Sequence, residues 1–234
     1  MAVTPRIRAI LLAAGRGRRL GADIPKQFLP MAGQPLLYHA LLALATHGGI
    51  DSVHVVLPED FLQISLPRHP RIAKPIVGGH CRHHSTAHAV REISPAAEEW
   101  VLVHDAARPF LPRPLVDEVC LALARHDAIA PAVPIADALI ELPNLHALDR
   151  HRVRALQTPQ GFRCGLLCDC FDDPAIGHCQ PASEFELVQR LRPQARLGIV
   201  PGHPLNGKVT DRASWLWMEW VLRSSGEKNE LFDG

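Results

Sequence analysis

The stretch Arg6-Ile-Arg-Ala-Ile-Leu-Leu-Ala-Ala14 is apolar at nearly every position and ends on small residues. A segment with almost no polar face must be covered on both sides, as a central strand of a parallel sheet is. It runs straight into Gly15, Arg16, Gly17, Arg18, Arg19 and Gly21, with Lys26 at the far end of the loop. Glycines let a backbone approach a ligand closely, and successive N–H groups can then line an anion-binding concavity. The arginines and Lys26 add positive charge, and forked arginine donors match phosphate oxygens. A buried strand feeding such a loop suits a polyphosphate; a solvated basic turn is the plainer alternative.

The same strand-then-loop pattern recurs along the chain. Apolar runs at 52–58, 100–105, 128–133 and 196–200 read as strands, and 72–77 as another weakened by Pro75. Helices are expected over 36–45, 85–93 with Ser85 at the start, 115–125, 163–170, 183–191 and 211–223, the last with Asp211 as its cap or first-turn acid. Short apolar strands alternating with helices predict an α/β fold: a Rossmann-like, mostly parallel mixed sheet flanked by helices. In such sheets ligands sit beyond the carboxyl ends of the strands. Segments 15–26, 78–85 and 105–108 all fall on that edge and can meet at one crevice.

Between 137 and 157 the rhythm changes. Extended pieces at 138–142 and 153–157 flank a polar stretch containing Pro143 and Asn144, which reads as a protruding β-hairpin arm. An isolated hairpin is marginal in water, so this arm is expected to pack on something, such as a second subunit. The chain thus divides into a core, 1–136 and 158–234, and a dimerisation arm, 137–157.

Composition narrows the function classes. A formal net charge of +1 over 234 residues gives no support to nucleic-acid binding. No apolar run reaches the roughly 18–20 residues of a membrane span, and the start lacks a signal-peptide pattern, so the expected compartment is the cytoplasm. The six cysteines are expected to be reduced thiols. Cys164, Cys168, Cys170 and Cys179, beside His178, lack the paired spacing of structural zinc sites and are read as buried on a helix. His84 and His88 can share a helical face near His80 and His83, but no further ligand stands in register, so no metal role is assigned there.

Asp105 ends the apolar strand Trp100-Val-Leu-Val-His-Asp105 and offers an oxygen ligand for Mg²⁺, which takes one or two carboxylates with phosphate oxygens and water. A turn cap is the alternative role. Arg108 and Lys208, also at strand ends, can take a second anionic substrate.

Together, Leu12-Ala-Ala-Gly-x-Gly-x-Arg19 with Pro25-Lys-Gln27, Gly78-Gly-x-x-Arg82-x-x-Ser85, Val101-Leu-Val-His-Asp-Ala-Ala-Arg-Pro109, Thr158-Pro-Gln160 and Asn206-x-Lys-Val-Thr210 form a recognisable set. The set resembles the 2-C-methyl-D-erythritol 4-phosphate cytidylyltransferases, a family of glycosyltransferase-A-like nucleotidyltransferases in non-mevalonate isoprenoid synthesis. The resemblance implies CTP and a polyol phosphate as substrates, Mg²⁺ as cofactor, and a homodimer joined through the arm. It implies that Ala13, Ala14, Gly15, Arg19 and Lys26 hold the triphosphate, with Arg19 and Lys26 catalytic. It places Gly79, Arg82 and Ser85 at the cytidine end and makes Asp105 the metal ligand. Arg108 and Lys208 would contact the acceptor, Arg150 would reach it from the neighbouring subunit, and Thr210 would support the Lys208 loop.

The departures from the family pattern lie on the acceptor side. Ala138 stands where a threonine is usual, Val153-Arg154 replaces Leu-Trp, and Ser183-Glu-Phe-Glu186 stands for a Thr-Asp-Glu/Asp segment. Leu205 and Gly207 replace a polar and an apolar residue. The alternatives are a cytidylyltransferase for another polyol phosphate, such as ribitol 5-phosphate, and a catalytically silent CTP-binding partner protein.

Overall fold

A computed structural model describes residues 6–15, 24–178 and 181–226. Arg16, Gly17, Arg18, Arg19, Gly21 and Cys179, singled out above, lie outside the described residues. The first half contains β1 (Ile7–Leu12), β2 (Pro30–Met31), β3 (Gln34–Pro35), α1 (Leu36–Thr46), β4 (Ser52–Leu57), β5 (Ile76–Val77), α2 (Arg82–Ile93) and β6 (Trp100–Asp105). The second contains α3 (Arg113–Leu123), β7 (Ala128–Val133), β8 (Leu139–Glu141), β9 (His146–Leu148), β10 (Ala155–Leu156) and β11 (Gln160–Arg163). It closes with α4 (Cys164–Phe171), α5 (Glu184–Leu191), β12 (Leu197–Pro201) and α6 (Arg212–Gly226).

β1 lies at the heart of an eight-stranded mixed sheet, parallel to β4 on one side and to β6 on the other. Its alternate residues enter two different cores. Ala9 and Leu11 pack with Leu41 and Val119 from α1 and α3, while Ile10 packs with Val90, Leu167 and Val188 from α2, α4 and α5. That two-sided covering is why the run carries no polar face. The register pairs Leu12 with Asp105, so the loop after β1 and the carboxylate ending β6 open onto the same edge.

Three expectations need correction. First, α2 begins at Arg82 after Cys81, and Ser85 lies within its first turn instead of capping it. Its hydroxyl folds back on the preceding loop. Second, 72–77 yields only β5 and an isolated bridge between Val53 and Ile72, Pro75 having no amide hydrogen for a ladder. Third, 138–142 does not pair with 153–157. β8 pairs with β9 in a small separate sheet, whereas β10 pairs with β7 in the main one.

β11 is the strand that periodicity did not announce. It runs antiparallel between β6 and β7 and carries the fully buried Phe162. Gly161 lies close under this core: a Cβ there would meet the terminal methyls of Leu123 at 2.9 Å and Leu102 at 3.1 Å. Among the described cysteines all are free, and burial pushes the thiols of Cys120 and Cys170 up to about 11 and that of Cys164 up to about 12. Those three are protonated, inert thiols at neutral pH.

Candidate active site

The crevice is assembled at the carboxyl edge of β1 and β6. Leaving β1, the carbonyls of Ala13 and Gly15 both accept hydrogen bonds from the buried Gln27 side chain, at 2.6 and 2.8 Å. Gln27 thereby fixes both flanks of the loop that carries Lys26. Ala14 meets the next segment: a Cβ on Gly78 would fall 2.3 Å from the Ala14 Cβ. Only glycine permits that approach. Gly79 donates its N–H to Ser85 Oγ at 3.0 Å, and Ser85 Oγ donates to the Cys81 carbonyl at 2.9 Å. The expected cytidine-end trio of Gly79, Arg82 and Ser85 thus occupies one small turn.

Asp105 is the electrostatic centre. Its Oδ2 accepts from Lys208 Nζ at 2.6 Å and its Oδ1 from Arg82 Nε at 3.1 Å. Burial alone would push this carboxyl up, but the charges of Arg82 and Lys208 overcome it and hold Asp105 well below the usual carboxylate range. Arg82 reaches further, donating to Glu184, which is fully buried at the start of α5. Thr86 Oγ1 donates to the other Glu184 oxygen at 2.7 Å. Burial opposes the Arg82 charge, but Glu184 and Asp105 outweigh it and raise its pKa. Sequence gives no signal for the role of Glu184, because its partner lies 102 residues away.

A second chain of bonds explains the motif around Asp105. The Asp105 N–H donates to Thr158 Oγ1 at 3.1 Å, and Thr158 Oγ1 lies 2.9 Å from Nδ1 of His104. His104 Nε2 lies 3.1 Å from the Arg108 carbonyl. That carbonyl can only accept, so Nε2 carries the hydrogen and Nδ1 accepts from Thr158. Burial lowers His104 to about 4, keeping it neutral.

The Lys208 loop is fastened with equal care. Asn206 Nδ2 donates to the Thr158 carbonyl at 2.8 Å, and Gln157 bonds both backbone groups of His203, at 3.0 Å each. Val209 N–H donates to the Ala107 carbonyl at 2.7 Å, and the Val209 carbonyl accepts from Lys26 Nζ. Val209 itself packs with Met218 and Val221 of α6. Thr210 joins this loop to α6: its N–H donates to Ser214 Oγ at 2.9 Å, and Asp211 caps the helix through the Ser214 N–H at 2.8 Å.

Arg108 is half-buried and donates to the carbonyls of Asn206 at 2.7 Å and Leu156 at 3.4 Å. Its Nε has no partner among the described residues, nor does the buried Asn206 Oδ1. Burial lowers the Arg108 pKa. Arg150 stands apart on the exposed arm, donating to the Ala136 carbonyl at 2.6 Å, and Arg154 turns back onto the His151 and Val153 carbonyls.

Among the described residues, Arg82, Arg108 and Lys208 therefore share a bonded network with the two carboxylates Asp105 and Glu184, and Lys26 joins it through the Val209 carbonyl. The surplus of positive charge, with an unpaired guanidinium N–H of Arg108 among it, equips the crevice for polyanions.

The family model described as IspD, 2-C-methyl-D-erythritol 4-phosphate cytidylyltransferase, matches residues 7–224. The 2-C-methyl-D-erythritol 4-phosphate cytidylyltransferase of Laribacter hongkongensis is 38% identical over 218 residues, covering 88% of this chain and 91% of that protein. The bifunctional enzyme IspD/IspF of Rhodospirillum rubrum is 31% identical over 232 residues, covering 95% of this chain, which spans only 59% of that longer relative. The crystal structure of 2-C-methyl-D-erythritol 4-phosphate cytidylyltransferase from Thermus thermophilus superposes with a TM-score of 0.75 at 29% identity, covering 92% of this chain and 98% of that one.

Proposed function

The chain belongs to the 2-C-methyl-D-erythritol 4-phosphate cytidylyltransferase family, and from that premise we propose that it transfers the cytidylyl group of CTP to 2-C-methyl-D-erythritol 4-phosphate, releasing pyrophosphate. A phosphate oxygen of the acceptor attacks the α-phosphorus of CTP in line. The new P–O bond forms as the bond to the bridging oxygen breaks, and pyrophosphate leaves with that electron pair. A phosphomonoester is already largely ionised near neutral pH, its second pKa being about 6. No general base is required, so catalysis rests on alignment and charge stabilisation.

In this reading Lys26 and Arg19 hold the triphosphate against the backbone of Ala13, Ala14 and Gly15. Gly79, Arg82 and Ser85 meet the cytidine end, while Arg108 and Lys208 meet the acceptor phosphate. Asp105 would hold Mg²⁺: it is an ionised oxygen donor at the strand end, and Mg²⁺ is satisfied by one carboxylate when phosphate oxygens and water complete its shell. When bound, the ion neutralises charge between phosphate oxygens. Lys208, which donates to Asp105 Oδ2 here, would face the acceptor phosphate were that carboxylate given to the ion. Exposed Ile140, Leu142 and Leu145 on the arm support a homodimer in which Arg150 of the partner subunit reaches the acceptor. We place the reaction in the cytoplasm; no described helix is long and apolar enough to cross a membrane.

The observation that carries this reading is the positive surplus gathered around Asp105 at the end of β6. It is tested by pyrophosphate release from CTP and Mg²⁺ with a panel of acceptors. Turnover is expected with methylerythritol phosphate. Preference for ribitol 5-phosphate would shift the assignment to the other acceptor, in line with Ala138; CTP binding with no release from any acceptor would refute transfer.

A further inference from the structure

We propose that His80, Cys81 and His84 form a binding site for a divalent cation of the zinc class. One ligand atom from each side chain lies within 4.8 Å of the other two. His80 Nδ1 and His84 Nδ1 are already 3.1 Å apart. Zinc–nitrogen bonds of about 2.0–2.1 Å and zinc–sulfur bonds of about 2.3 Å put tetrahedral ligand atoms roughly 3.3–3.6 Å from one another. The three atoms therefore already lie within roughly 1.5 Å of tetrahedral ligand spacing. His83 borders it: Cys81 Sγ is 3.3 Å from His83 Nε2, and the His83 ring centroid is 4.5 Å from that of His84. A water or the His83 imidazole completes four ligands.

The backbone under these side chains is fixed. A Cβ on Gly79 would lie 2.6 Å from the His84 Cβ, so the loop rests directly on the helix. Ser85 bonds that loop at both Gly79 and Cys81. This is why the ligands meet: His80 and Cys81 come from the loop, and His84 comes from the first turn of α2. Sequence spacing measured along a helix starting at Ser85 hides the thiol as a partner of the two imidazoles.

Two imidazoles and a thiolate form a borderline-soft set that suits Zn²⁺, whereas Mg²⁺ demands oxygen ligands. The two cations therefore do not compete. Occupancy would tie the loop bearing Gly79 and Arg82 to α2 and stabilise the folded chain by mass action.

The test titrates the metal-free full chain with Co²⁺ and then Zn²⁺, reading the thiolate-to-cobalt charge-transfer absorption and the thermal midpoint. The expected result is one equivalent bound with a charge-transfer band, displaced by Zn²⁺, and a raised midpoint. Cys81→Ser should abolish the band. His84→Ala and His80→Gln should each weaken binding at least about tenfold, the lower end of the loss seen even for residues that only support metal ligands. Cys168→Ser should change nothing. Metal-free midpoints, measured first, identify any variant that fails to fold, and the remaining variants then decide. Absence of the band in the native chain, its survival in folded Cys81→Ser, or its loss in Cys168→Ser would overturn the proposal.

Discussion

The end of β6 and the arm both carry charged side chains, and the fold treats them in opposite ways. Around Asp105 the carboxylates are buried, each is held by a cation, and the loops beneath are bonded to one another by Gln157, Thr158 and Asn206. Along 141–152 every residue is exposed, including Leu142 at 76% and Leu145 at 69%. The first region is organised by its own chain. The second is a two-stranded ribbon that water alone supports poorly. The crevice has one preorganised wall, and in the proposed homodimer the arm of the partner subunit would supply another.

The difference can be broken most severely at the organised wall. Lys26→Ala and Asp105→Ala are each expected to lower turnover about a hundred- to a thousandfold or more, the typical loss for one preorganised charge-stabilising group. Steady-state pyrophosphate release at saturating CTP and Mg²⁺ reads this directly; near-native turnover in either would show that the crevice is not where transfer occurs.

Removing Glu184 probes how far the organisation reaches below the surface. Glu184→Ala removes the buried carboxylate that Arg82 and Thr86 share, leaving Arg82 with Asp105 alone, and should cost about 3–5 kcal/mol in urea unfolding, as breaking a buried ion pair does. Glu184→Gln, which retains an acceptor for Thr86, should cost less.

Acid should weaken the same wall. His104 is lowered from 6.5 to about 4, so the unfolded chain binds its proton first. Stability is complete above about pH 6.5 and falls as pH drops towards 4, by on the order of 3 kcal/mol from this group. Asp105, lowered from 3.8, adds its loss only below that range. Urea midpoints across the interval measure the slope, and His104→Gln should reduce it, leaving the part due to His54, which burial also lowers to about 4.

The arm should respond least. Ile140→Ser and Leu142→Ser are expected to shift unfolding by under about 0.5 kcal/mol where no partner is bound, since both side chains are exposed. If the proposed homodimer forms, sedimentation at high concentration should instead report weakened self-association. A large loss of monomer stability would show that the arm is held by its own chain.

These regions also differ in how readily they can be read from sequence. β1, β6 and β7 announce themselves because strands covered on both faces must be apolar throughout. Asp105 and Lys208 stand out as charges beside such strands, and the family resemblance adds Arg82. β11 stays hidden because Gln160-Gly-Phe-Arg163 has one large apolar residue and is a strand only through β6 and β7. Gln27, His104 and Glu184 fall inside segments that the motifs mark, but the sequence assigns none of them a bond. Their roles are bonds to distant segments, which local periodicity does not record. The exchange of partners between β9 and β10 has the same origin: 146–148 and 153–157 are both plausible mates for 139–141, and pairing of β10 with β7 decides between them.

The most direct measurement of the central claim is ³¹P NMR of the full chain incubated with CTP, 2-C-methyl-D-erythritol 4-phosphate and Mg²⁺, beside Lys26→Ala. The expected spectrum shows paired diphosphate resonances of a cytidylylated acceptor growing with pyrophosphate in the native protein and almost none in the variant. CTP left intact by the native chain, or equal product from both proteins, would contradict it.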